Sequence, residues 1–176
     1  MVRKRLRDIS EIARNINIRE YKGYTGNNHQ RKKTDEAVRH FLADQLRECE
    51  DNLRQIQENA ILVQCIIVWP DLDELLRRLE KLMLLVERTD YNTSTFFLSD
   101  KIDPKFDMEA LLQAEAIIGE HMNTLNEKID KLGEEIDAGL YSDSSETVQE
   151  IKSVVDLVKS SYTHRVDLIK SYQQMF

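Results

Sequence analysis

One stretch, from Asp103 to Ala138, constrains the fold more than any other part of the chain. Its apolar residues recur at alternating steps of three and four, the spacing that places a single apolar stripe along an α-helix. These residues are Leu111, Ala114, Ile118, Met122, Leu125, Ile129, Leu132 and Ile136. Asp103-Pro104 is a typical helix start, and Gly139 is the residue type favoured just after a helix end. A helix of about 35 residues is roughly 50 Å long, so we expect partner helices of similar length to cover its stripe.

Three further stretches carry the same pattern. They predict helices at about 34–68, 71–89 and 144–174, alongside the helix at 104–138. Thr34 is expected to cap the first of these helices, Pro70 to separate the first from the second, and Asp143 with Glu146 to form a capping box for the last. The predicted fold is all-α: an up-down four-helix bundle of long, heptad-patterned helices. A short amphipathic accessory helix precedes the bundle at the N-terminus.

Charge is distributed unevenly along the 176 residues. The net charge is -7, but residues 1–42 contain eleven Lys or Arg against five Asp or Glu, which gives +6 and leaves -13 for residues 43–176. Two regions with opposite charge should face different partners, or each other. We therefore divide the chain into a basic N-terminal helix and linker, residues 1–33, and the four-helix bundle, residues 34–176.

The basic segment permits more than one interpretation. Residues 2–16 predict an amphipathic helix whose apolar face could pack on the bundle end, or which could bind a membrane surface or nucleic acid as a cationic arm. Residues 17–33 predict a loop that is most simply a solvated connector. Its tyrosines alternate with cations, a pattern found in some loops that bind single-stranded nucleic acid or phosphate. The candidate polyanion-binding residues are Arg3, Lys4, Arg5, Arg7, Arg14, Lys22, Arg31, Lys32 and Lys33.

Self-association is predicted from an excess of apolar residues. Eight of the nine residues from Ile61 to Trp69 are apolar, more than one stripe of a bundle helix can bury. The loop residues Phe96 and Phe97 are expected to plug a bundle end, with a groove on a partner as the alternative. The candidate self-association residues are Ile66, Val68, Trp69, Phe96 and Phe97. A two-fold homodimer is favoured over a monomer in which the Phe96-Phe97-Leu98 loop covers the apolar side chains that the bundle leaves exposed.

The sequence lacks a recognisable catalytic or metal-binding constellation. There is no Glu-x-x-His pair of the kind that holds di-iron sites in helical bundles. Two other acid–histidine combinations occur, Glu36 with His40 and either Glu115 or Glu120 with His121. Each is more simply a surface pair than a set of metal ligands. Cys49 and Cys65 are expected to be reduced core thiols on one helix. We predict a non-enzymatic protein without cofactor or metal.

No apolar run has the length of a signal peptide core or a membrane span, so an intracellular, cytoplasmic protein is expected. The favoured function is a helical interaction or scaffold protein that self-associates. The alternative is a binder of polyanions, either nucleic acid or an anionic membrane surface, through the N-terminal segment.

Overall fold

The computed structural model describes Ile18, residues 21–91 and residues 94–172. Its regular structure in those ranges is helical, with no strand. The helices are α1 (Asn28–Leu62), α2 (Trp69–Glu87), α3 (Met108–Asp137) and α4 (Tyr141–Lys170), with short 3-10 turns at Ile66–Val68 and Thr95–Phe97. The helix predicted at residues 2–16 lies outside the described residues.

The four helices pack against one another around a common hydrophobic core. Contacts join α1 to α2, α3 to α4, α1 to α3, and α2 to α4. All eight residues of the apolar stripe predicted for α3 are buried. In α2 the apolar residues at the same spacing are also buried: Leu72, Leu75, Leu76, Leu79, Leu82, Met83 and Val86. Each helix therefore buries one stripe against two neighbours, which explains why the spacing of apolar residues located the core correctly.

Helix α1 begins and ends earlier than the predicted 34–68. The side chain of Asn27 caps it, since Asn27 Oδ1 accepts a hydrogen bond from the Gln30 backbone N–H (2.9 Å). The predicted cap at Thr34 is wrong because the Thr34 hydroxyl is buried and donates to the Gly23 carbonyl (3.0 Å). Residues 28–33, predicted as linker, therefore form the first turns of α1.

The predicted starts of the other helices are also displaced. Helix α2 covers 69–87 rather than 71–89, with Pro70 in its first turn. Helix α3 is capped by Asp107, which accepts from the Ala110 N–H (2.9 Å), whereas Asp103 caps a turn by accepting from the Lys105 N–H (2.8 Å). Helix α4 covers 141–170 rather than 144–174, so Asp143 lies within its first turn and not at the cap.

An aromatic cluster closes one end of the helix assembly. The Phe96 ring is completely buried and packs against the rings of Tyr24, Phe97, Phe106 and Tyr172. The prediction that Phe96 plugs an end of the helices is confirmed. At the opposite end, the α1–α2 and α3–α4 connections lie together, because the Tyr141 hydroxyl donates to the Val63 carbonyl (3.0 Å).

Candidate functional site

The end formed by the two short connections exposes a group of large apolar side chains, which we name the apolar end. Its members are Ile61, Leu62, Val63, Ile66, Ile67 and Trp69, together with Leu140 from the α3–α4 connection. Leu62 is 79% exposed, Ile66 74% and Ile67 69%. Isolated exposed apolar residues are ordinary, but a contiguous group of this size is typical of an interaction surface.

The local backbone explains why these residues remain outside the core. Helix α1 stops at a turn in which the Cys65 N–H donates to the Ala60 carbonyl (2.7 Å) and the Gln64 N–H donates to the Ile61 carbonyl (3.0 Å). Gln64 has a φ of 58°, the left-handed conformation that this hydrogen-bond pattern requires. The chain then turns back so that Cys65 and Val68 are buried, and the apolar residues around them face outward.

The second connection uses the same closing pattern. The Leu140 N–H donates to the Glu135 carbonyl (2.8 Å), the Gly139 N–H donates to the Ile136 carbonyl (3.1 Å), and Gly139 has a φ of 75°. The predicted left-handed Gly139 is confirmed. Beside the two connections, Asn59 in the last turn of α1 donates from Nδ2 to Asp137 Oδ1 at the end of α3 (2.9 Å). The apolar end thus sits on two hydrogen-bonded turns that are fixed to each other.

The structure divides the residues predicted for self-association. Ile66 and Trp69 lie on the apolar end, while Val68, from the same segment, is fully buried. Phe96 is buried and Phe97 half-buried in the aromatic cluster at the other end. Val68 and Phe96 are therefore corrected to internal residues, because their side chains already have partners within the chain.

The predicted polyanion-binding residues are also divided. Lys22, Lys32 and Lys33 are exposed, whereas Arg31 is fully buried. The Arg31 guanidinium donates from Nε to the Phe96 carbonyl (2.8 Å), from Nη1 to the Gly26 carbonyl (2.5 Å) and from Nη2 to the Ser99 carbonyl. Because these bonds occupy the side chain inside the fold, Arg31 is corrected from a polyanion contact to a structural residue. Arg3, Lys4, Arg5, Arg7 and Arg14 lie outside the described residues.

A buried charged cluster, which sequence reasoning missed, lies near the aromatic end. Arg165 of α4 is fully buried and binds Asp35 of α1 (Nη2 to Oδ1, 2.7 Å) and Glu115 of α3 (Nε to Oε1, 2.9 Å). Arg165 also donates to the hydroxyls of Tyr24 (2.8 Å) and Tyr91 (2.9 Å). One side chain therefore connects three helices and the segments that precede α1 and follow α2.

Arg39 also pairs with Asp35 (Nε to Oδ2, 2.9 Å), so the two carboxylates of this cluster face two cations, and their hydrogen bonds are made. Burial alone would lower the pKa of Arg165, but the neighbouring Tyr24, Asp35 and Glu115 raise it well above its ordinary value, so the guanidinium stays charged. Burial raises the pKa of Tyr24 well above its ordinary value, which keeps the hydroxyl protonated as a donor to Glu115. Such a paired, satisfied cluster is a structural element. The signal was present in the sequence, since Arg165 falls on the buried face between Tyr162 and Ile169.

The predicted surface pairs show no metal-binding arrangement. Across the described ranges, no group of three or more His, Cys, Asp or Glu side chains could hold a metal ion. His40 is exposed, and Glu115 is occupied by Arg165 and two tyrosines. Both cysteines are free and buried, but Cys65 follows the end of α1 and does not share a helix with Cys49.

Within the described part of the chain, each helix is too short or too polar to cross a membrane. No protein-family model matches the sequence, and searches of curated proteins and of solved structures also find no match.

Proposed function

We propose that this chain is a non-enzymatic interaction protein that self-associates through the apolar end. The observation that carries the proposal is the exposure of seven large apolar side chains at and beside two hydrogen-bonded turns that are joined to each other. Burying such a surface against a partner removes it from water, and each fully buried Ile or Leu contributes roughly 1.5–3 kcal/mol.

The composition of the apolar end supports a protein partner. From Ile61 to Trp69 the segment contains no Asp, Glu, Lys or Arg, and the cores of protein interfaces are depleted of charged residues. Trp69 is of the residue type that contributes most often to binding hot spots, and it is partly exposed here. A second copy of the chain presents the same apolar surface, so a two-fold arrangement would let the two surfaces cover each other.

We also infer that the helices form an up-down bundle, which makes the apolar end the tip of a rod. Paired residues support parallel neighbours: Cys49 donates to Asn126 and Asn59 to Asp137 between α1 and α3. In the same way, Asp71 pairs with Lys152 and Arg78 with Asp156 between α2 and α4. Two helical hairpins side by side would then present both of their turns at one tip of the bundle. A second copy of the chain could bind that tip, which would join two bundles end to end.

The experiment is a substitution followed by measurement of mass in solution. Ile66→Glu places a charge on the apolar end, and Leu98→Glu is the matched control because Leu98 is 69% exposed but lies near the aromatic end. In a two-fold dimer the substitution occurs twice, so a loss of only ~1 kcal/mol per copy weakens association about thirtyfold. We expect Ile66→Glu to yield a helical monomer while Leu98→Glu and the unmodified protein remain dimeric. Unmodified protein that is monomeric at millimolar concentration would refute the proposal.

A second candidate function, polyanion binding, is favoured by three exposed cations near the start of α1. Lys32 and Lys33 are exposed there. Lys22 lies beside them, because the Lys22 N–H donates to Thr34 Oγ1 (3.3 Å) and Gln30 Nε2 donates to the Lys22 carbonyl (2.9 Å). If this surface binds nucleic acid, replacing all three lysines with Glu should abolish oligonucleotide binding, and binding by the unmodified protein should fall steeply with salt. Binding that is insensitive to salt and to the substitutions would exclude this function.

A further inference from the structure

A second apolar surface lies between α1 and α3, away from the apolar end. It is a groove, which we name the side groove, lined mainly by apolar and half-buried side chains. The lining includes Val38, Phe41 and Gln45 from α1, and Leu112, Ala116 and Met122 from α3. On α3 the groove extends from Leu112 to Asn123, a distance of about 16 Å along the helix axis.

The chain itself enters this groove. Ile18 and Tyr21 both line it, and the Tyr21 hydroxyl donates to Glu115 Oε2 (3.2 Å), which fixes the chain beside α3. The Tyr21 N–H also donates to the Ile18 carbonyl (3.2 Å). Residues 1–17 directly precede this anchored point, so Ile16 can be no further than about 7 Å from Ile18.

We propose that residues 2–16 dock in the side groove as an amphipathic helix. Leu6, Ile9, Ile12, Ala13 and Ile16 form one apolar face at helical spacing. The distance from Leu6 to Ile16 along a helix is about 15 Å, close to the length of the groove along α3. Docking covers the apolar groove with the apolar face and leaves Arg3, Arg7 and Arg14 on the outer side.

Charge complementarity favours the same occupant. Glu48 on α1 and Glu120 on α3 are exposed and lie one turn from the groove residues Gln45 and Ala116. The segment 2–16 carries five Lys or Arg against two Asp or Glu. A cationic helix between two acidic rims is therefore attracted to this face and oriented on it.

Reach excludes the apolar end as the alternative site for this segment. Tyr21 is hydrogen-bonded to Glu115, and Arg165 binds both Glu115 and Asp35, so Tyr21 lies near Asp35 along the axis of α1. The apolar end begins much further along α1, at Ile61. The 26 residues of α1 between Asp35 and Ile61 correspond to about 39 Å. A helix over residues 2–16 is about 21 Å long, and the two steps from Ile16 to Ile18 add at most about 7 Å, so the segment reaches about 28 Å from its anchor. Docking in the side groove thus leaves the apolar end free and is independent of the proposed self-association.

The test is methyl NMR and amide hydrogen exchange on the full chain. We expect nuclear Overhauser effects between the Ile12 methyl groups and the Ala116 or Met122 methyl groups. Exchange of amides in residues 6–16 should be slowed at least about tenfold relative to Ile12→Asp, which places a carboxylate on the docking face. Asn15→Asp is the matched control, because it adds the same charge off the apolar face and should preserve both signals.

The contrary outcomes are distinct. Absence of these Overhauser effects together with unprotected amides in residues 6–16 would overturn the proposal. Overhauser effects that occur only between differently labelled molecules in a mixed sample would assign the groove to a second copy and would also overturn it. The readout is independent of Ile66, so Ile66→Glu should leave the docking signals unchanged whether or not it alters the mass in solution.

Discussion

Replacing Arg165 with Met tests the side chain that connects α1, α3 and α4. The substitution keeps an apolar stem but leaves the Glu115 carboxylate, which is only 11% exposed, without its cation, and leaves Asp35, which is 3% exposed, paired with Arg39 alone (Nε to Oδ2, 2.9 Å). Removing one partner of a buried ion pair costs about 3–5 kcal/mol. For a chain of this size each kcal/mol lowers the melting temperature by about 2–4 °C, so we expect a decrease of about 6–20 °C.

The assay is urea and thermal unfolding followed by circular dichroism at one fixed protein concentration. Arg54→Met is the matched control, because the Arg54 side chain is 55% exposed and its pair with Glu50 is a surface pair, which should contribute less than about 1 kcal/mol. Adding Glu115→Gln to Arg165→Met removes the carboxylate that has lost its cation and should recover part of the loss. The reasoning is refuted if Arg165→Met costs no more than Arg54→Met.

Two further predictions concern the core. Leu125→Asp and Ile129→Asp each place an unpaired carboxylate at a buried position of α3, so each should lower the free energy of unfolding by several kcal/mol. Asn123→Asp, on the exposed face, should be nearly neutral in the same thermal unfolding measurement. Equal effects at buried and exposed positions would contradict the core assignment. Burial raises the pKa of Cys49 from 9.0 to about 12, and only the thiolate is nucleophilic. Alkylation of Cys49 at pH 8 should therefore be about a thousandfold slower than for an ordinary thiol and rise roughly tenfold per pH unit. Rapid labelling of the folded protein at pH 8, detected by peptide mass spectrometry, would be incompatible with this burial.

The apolar spacing of the sequence was sufficient to predict the helical fold and the core faces. In α4, for example, the apolar residues Val148, Val158 and Tyr162 follow the helical spacing and are all buried. Burial follows spacing here because a helix can hide only one stripe, and these stripes are uninterrupted.

Helix ends were harder to predict because several residues can cap a helix equally well. Asn27 and Thr34 are both good caps, and the choice depends on the Gly23 carbonyl that accepts from Thr34. Likewise, Gln64 carries no sequence signal for the left-handed conformation that ends α1, since residues other than glycine adopt it rarely. The apolar run was therefore predicted as continuous helix.

The predicted roles of candidate site residues were wrong where the residue contacts a segment that is distant in the sequence. Arg31 stands in a run of surface lysines, but its guanidinium binds carbonyls of Phe96 and Ser99, about 65 positions later. Val68 belongs to the same apolar segment as Ile66, yet after the turn that follows α1 the Val68 side chain is buried and the Ile66 side chain is exposed. Neither outcome can be obtained from local pattern, because both depend on how the connections fold back.

The most direct test of self-association through the apolar end uses Trp69, the one tryptophan of the chain, as a reporter. Solution mass and iodide quenching of tryptophan fluorescence are measured on the same dilution series. Because Trp69 is 39% exposed in the single chain, dissociation of a dimer should increase its quenching in step with the fall in mass. A mass that stays monomeric at every concentration, or a dimer that dissociates without a change in Trp69 quenching, would contradict the account.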